Sequence, residues 1–145
     1  MSEQIPADQG RIVVVNVPDP LLGADWAYIM PVRTRWALRS VQALLTTSVV
    51  VADRIPELQI IMAGFMALRR TARALIPGNS ALYFGWYVGG GAPAIAGQTA
   101  IGASMPERYL LNDNSEFQTQ TVALDAGDQW SEIMIVAEEW IEPLV

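Results

Sequence analysis

Residues 34–47, TRWALRSVQALLTT, decide the fold. Read at a period of two, Trp36, Leu38 and Leu44 fall on one face and Val41, Ala43 and Leu45 on the other. Read as a helix, the same residues leave no clean apolar stripe. Ser40, Thr46 and Thr47, with the run Val49-Val50-Val51 just beyond, also disfavour a helix, because β-branched and hydroxyl side chains lose freedom there. The stretch is therefore read as a strand.

Working outward towards the N-terminus, Arg11–Val17 (RIVVVNV) is rich in β-branched residues and stops at Pro18-Asp19-Pro20. Before it, residues 1–10 read as a polar arm with Pro6 and Gly10 as breakers. Asp25–Met30 ends at Pro31. Towards the C-terminus, Glu57–Ala63 reads as a strand and Gly64 as a bulge or turn. Phe65–Ile76 is evenly balanced: propensity favours a helix, context a strand. Pro77-Gly78-Asn79-Ser80 is a turn, Ala81–Val88 an aromatic strand, and Gly89–Gly102 a small-residue loop. Arg108–Leu111 is a short strand before the turn cluster Asn112-Asp113-Asn114. Glu116–Val122 alternates, with Phe117, Thr119 and Thr121 on one face.

After a tight turn at Asp125–Asp128, Gln129–Glu142 reads as a final long strand. At about 3.3 Å per residue it would run roughly 46 Å, so a bend or bulge is expected. Roughly seven to nine strands separated by turn signals make an all-β protein. Long strands with long loops suit an antiparallel β-sandwich of the jelly-roll type, a single domain over 11–145 with an extended arm over 1–10.

Composition narrows the chemistry. The chain has 145 residues, a net charge of −6, no Cys and no His. Every one of its nine cations is Arg. Thiol nucleophiles, imidazole bases, Schiff-base lysines and the usual zinc sites are thereby excluded. No cofactor and no metal is expected, and an acidic surface with few Arg residues argues against nucleic acid as a partner. Ser40–Ala52 is uncharged but too short and polar to span a membrane. Residues 1–10 lack the basic start of a secretory signal. The mean hydropathy of +0.26 points instead to apolar surface hidden against other proteins.

Adjacent carboxylates Glu138 and Glu139 must point to opposite faces of a strand and cannot form a catalytic pair together. They read as solvated acids guarding a sheet edge. Asp125, Asp128 and the Asn112–Asn114 cluster read as turn chemistry rather than a calcium loop. The tryptophans, Trp26, Trp36, Trp86, Trp130 and Trp140, read as core or interface anchors in preference to a sugar platform.

Two stretches carry a resemblance. Val32–Arg54 contains Arg35-Trp36, Leu38, Ser40-Val41, Ala43, Leu45 and Thr47-Ser48; Leu124–Glu142 contains Ala126-Gly127-Asp128, Trp130-Ser131 and Glu138-Glu139-Trp140. Together they resemble small β-domain structural proteins of tailed bacteriophages, most of all capsid decoration (cement) proteins. The resemblance implies a non-enzymatic jelly-roll protein of the virion, made in the host cytoplasm and placed on the outer capsid. It implies the major capsid protein as partner, and a homotrimer. Tail or head–tail connector components are similar in size, and a carbohydrate-binding sandwich is a further alternative. Interface candidates, chosen on composition and expected exposure, are Ile5 in the arm, Arg33, Arg35, Trp36, Pro93 and Ile95 in the glycine-rich loop, and Trp140.

Overall fold

The computed structural model describes residues 10–71, 77–88, 100–106 and 110–141. The strands in chain order are β1 (Arg11–Val17), β2 (Ala27–Ile29), β3 (Thr34–Thr46), β4 (Ile55–Met62) and β5 (Phe65–Thr71). They continue as β6 (Ala81–Val88), β7 (Ala100–Met105), β8 (Leu110–Leu111), β9 (Glu116–Val122) and β10 (Gln129–Ile141). No helix occurs among the described residues.

One sheet has the order β1-β10-β3-β6-β7, with β8 also on β3; the other has the order β2-β9-β4-β5. The antiparallel pairs are nested: β4 with β5, β3 with β6, β2 with β9 and β1 with β10. An antiparallel ribbon folded over on itself produces this order, and it is the jelly-roll winding. At its closed end Ala63 and Gly64 both take positive φ and turn β4 into β5. The even balance over Phe65–Ile76 resolves to strand for Phe65–Thr71; the remaining residues lie outside the described set. One pair departs from the antiparallel expectation: β7 runs parallel to β6. A parallel neighbour needs a connection of about a dozen residues, and the stretch 89–99 supplies that length.

Two compensating bulges correct the face assignment of β3 and set that of β10. Opposite Ala43 of β3, the β10 ladder carries an extra residue at Glu132, whose φ is 49°. Further along, Arg39 is the extra residue on β3. The first slip puts Trp130 on the same face as Ile133, Ile135 and Ala137; the second does so for Trp36 and Leu38 with Val41, Ala43 and Leu45. All of these side chains are buried in one core. The long final strand is thus bulged, as its length required.

The core between the sheets is aromatic. Trp36 lies 6.0 Å from Tyr28 and 5.9 Å from Phe117 by ring centroids. Phe84 meets Trp130 edge-on at 5.8 Å and stacks on Trp86. Trp26, Trp36, Trp86 and Trp130 are all core residues. Of the five tryptophans, these four have no face free to stack on a sugar. Trp36 is 1% exposed, so its expected role as an interface side chain is corrected to that of a core ring.

Candidate functional site, an apolar rim braced by a buried ion pair

The winding brings the β1–β2, β3–β4 and β9–β10 connections to the end of the sandwich where β10 begins. Their backbones are tied together there. The Gly23 N–H donates to the Asp128 carbonyl at 2.8 Å, and the Ser48 N–H to Asp128 Oδ1 at 2.8 Å. The β5–β6 turn joins them, since Asn79 N–H donates to the Ser48 carbonyl at 2.6 Å. Gly78 packs so tightly here that a Cβ would lie 2.4 Å from the Val50 carbonyl oxygen.

At the centre sit Arg54 and Asp128, with side chains entirely buried. Arg54 uses its full set of donors. Nε reaches Asp128 Oδ2 at 2.8 Å and one terminal nitrogen reaches Oδ1 at 3.0 Å, a bidentate pair. That same nitrogen also donates to Ser48 Oγ at 3.2 Å. The other terminal nitrogen donates to the carbonyls of Val50 at 2.8 Å and Ala52 at 2.6 Å. Burial opposes ionisation of Asp128, but the bonds from Arg54, the Asp125 N–H and the Ser48 N–H outweigh it and hold the carboxyl below the usual carboxylate range. Asp125 is also lowered, first by the Ser48 hydroxyl and then by the Gly127 N–H.

A second acid secures the neighbouring wall. Asp25 accepts from Thr121 Oγ1 at 2.6 Å, Thr119 Oγ1 at 2.9 Å and Trp130 Nε1 at 3.1 Å, fastening the chain before β2 to β9 and β10.

With backbone and polar groups turned inward, the apolar side chains of these loops are left outside. Leu21 is 83% exposed and Val51 95% exposed; Leu22, Val49 and Val50 are exposed beside them in the same loops. The result is a rim of aliphatic side chains on braced backbone. Exposed large aliphatics concentrated on one set of loops mark a docking surface more often than scattered ones do.

The opposite end of the β3–β10 pair gathers several residues singled out from the sequence. Register places Arg35 beside Trp140 and Trp36 beside Glu139. Arg33 follows the turn before β3 with φ at 61°, and its N–H donates to Asp113 Oδ2 at 2.9 Å. Arg33 and Arg35 are exposed. Trp140 is half-buried in an open hollow of about 460 Å³ beside Leu110 and the Arg39–Glu138 pair. Its Nε1 is buried and has no hydrogen-bond partner among the described residues. Ile5, Pro93 and Ile95 lie outside the described residues.

The reading of Glu138 and Glu139 as solvated edge acids needs correction. β10 is an interior strand with β1 and β3 on either side. Glu139 is buried, accepting from Arg11 Nε at 3.0 Å and from Trp36 Nε1 at 2.9 Å. Glu138 points to the other face, as strand geometry demands, and pairs with Arg39 at 2.7 Å. Burial and the charge of Glu139 together raise the pKa of Tyr28.

Sequence reasoning did not single out the rim. Val49-Val50-Val51 served only as an argument against a helix, and Arg54 only as the last residue of a familiar stretch. The available signal was three exposed-loop valines closed by Asp53-Arg54, too polar a stop for a strand interior.

No protein-family model matches the chain, and no curated protein does. Among solved structures, a chain from the crystal structure of the T13 IBDV viral particle is similar at a TM-score of 0.42 and 12% identity. The match covers 90% of this chain and 31% of that one, so this chain spans under a third of its length. At this score the fold rests on the strand pairing itself.

Proposed function

We propose that the protein is a non-enzymatic structural component of a virion, a cement or decoration protein that docks on the outer capsid surface through its apolar rim. The observation that carries this reading is the exposure of Leu21, Leu22 and Val49–Val51 on loops whose backbone is fixed by Arg54 and Asp128. A backbone already held in place loses little freedom on docking, so burying the side chains it carries is not offset by the cost of ordering a loop. The stretches that carry the resemblance, 32–54 and 124–142, run through Val49–Val51, Arg54 and Asp128, whereas Leu21 and Leu22 lie outside both. Many modest contacts on one lattice add to tight attachment. Acids around the rim, Asp19, Asp53 and Asp125, oppose rim-to-rim contact between free copies.

The test is affinity capture from a lysate of the source, with proteins identified by mass spectrometry. The wild type is expected to recover the major capsid protein. The Leu21→Asp, Val51→Asp double variant is expected to recover at least tenfold less, with an unchanged unfolding midpoint. Tail or portal proteins in place of the capsid protein would move the protein to the tail or connector. Equal capture by wild type and variant would remove the rim from the interface.

A further inference from the structure

We propose that β1 is a self-pairing edge, through which two copies join antiparallel about a two-fold axis centred on Val14. The argument comes from comparing the sheet edges. An edge strand exposes a row of unpaired N–H and C=O groups, and proteins normally blunt it by shortness, charge, proline or a bulge. β2 has only three residues. β5 carries Arg69 and Arg70, and its ladder to β4 slips between Ile60 and Ile61. β7 has six residues and joins its sheet as a parallel neighbour, the less stable pairing.

β1 has none of these devices. It runs for seven residues, RIVVVNV, with no proline. Its register to β10 is unbroken from Arg11↔Glu139 to Val17↔Ile133. Its one charge, Arg11, is drawn onto Glu139 within the same subunit. Among the described residues nothing pairs with its outer side. On the sheet's outer face Ile12 is 62% exposed opposite Glu138 of β10, and Val14 is 54% exposed opposite Val136.

The strand is also complementary to itself. A two-fold axis at Val14 sets Val14 against Val14, Val13 against Val15, Ile12 against Asn16 and Arg11 against Val17. β-Branched pairs face one another and no like charges are opposed, the favourable condition for cross-strand neighbours. Two copies carrying −6 each repel at long range, so the pairing should tighten as salt rises.

The natural chain has no cysteine, so single-cysteine variants report the register directly. Facing Cα atoms of an antiparallel pair lie about 4.5–5.5 Å apart, within disulfide reach. Val14→Cys is expected to cross-link to itself under mild oxidation. Ile12→Cys is expected to cross-link to Asn16→Cys in a mixture but not to itself. Thr46→Cys, exposed elsewhere on the sheet, is the unlinked control. In sedimentation, the wild type should approach twice the monomer mass with rising concentration and salt. Val14→Lys, which opposes two ammonium groups on the axis, should weaken the dimer at least tenfold with the fold intact. A monomer at every concentration, a trimer, or a dimer in which Val14→Cys fails to cross-link would each overturn the proposal.

Discussion

The strand β10 has a buried carboxylate at each end, and the two are held very differently. Asp128, just before it, meets an arginine with no exposed side-chain surface, and every donor of that guanidinium is used. Glu139, near its far end, meets Arg11, whose side chain is 65% exposed, and the indole N–H of Trp36. The first arrangement fixes loops, because Arg54 binds backbone carbonyls as well as the acid. The second fixes a core ring and the start of β1. The lesson is that similar residue types brace the molecule in proportion to how completely their partners leave water.

The largest effect should come from splitting the Arg54–Asp128 pair. Asp128→Ala leaves a buried guanidinium uncompensated, a loss of about 3–5 kcal/mol for such pairs. Urea unfolding measures it, and exchange of the Ser48 and Gly23 amides should rise with it. The double variant Arg54→Met, Asp128→Leu should regain much of that stability while leaving the rim loops free to move. Were the double variant as unstable as the single, the pair would be holding the whole sandwich and not only its loops.

At the other end Glu139→Ala should cost less, about 1–3 kcal/mol, chiefly because the Trp36 N–H is left buried without an acceptor. Trp36→Phe loses core volume but also removes that orphaned N–H, so it should cost less in the Glu139→Ala background than in the wild type, and a double-mutant cycle on the unfolding free energy checks this.

Acid should act on the Asp128 end. The folded-state pKa of Asp128 is lowered, so its contribution is complete above the unfolded value of about 4 and is lost as pH falls through the folded value. Glu57, held low despite its burial by bonds from Gln59, Arg69 and Thr71, acts in the same direction. Thermal unfolding followed from pH 6 downwards should show the wild type losing stability below about pH 4. Asp128→Asn should show a shallower loss. The smallest effect should be that of Arg39→Ala, about 0–1 kcal/mol, since its partner Glu138 reaches solvent and keeps the Gly10 N–H as a donor.

Much of the fold was legible in the sequence. The ranges Arg11–Val17, Ala81–Val88 and Glu116–Val122 match their strands end to end, because proline, glycine and asparagine punctuate them. The alternation of Phe117, Thr119 and Thr121 marks the inner face of β9. In β3 a strict period of two set Trp36 and Leu38 opposite Val41, Ala43 and Leu45, and the bulge at Arg39 overturns that by bringing all five into one core. The rim was not legible. Arg54 and Asp128 are 74 positions apart, and only the nested winding makes them neighbours. Nothing local distinguishes an arginine that will be buried from one that stays in solvent.

Nested pairing also sets a timetable for synthesis. The turn at Ala63-Gly64 can close early, whereas Arg11 waits for a partner 128 residues further along the chain. Topologies dominated by such distant contacts fold slowly. While a ribosome is still making residues 129–141, β1 and β3 have no strand between them, and one sheet stands open on both sides of the gap. The growing chain is most vulnerable to aggregation in that interval, and pausing or truncation there should send it to chaperones or proteases.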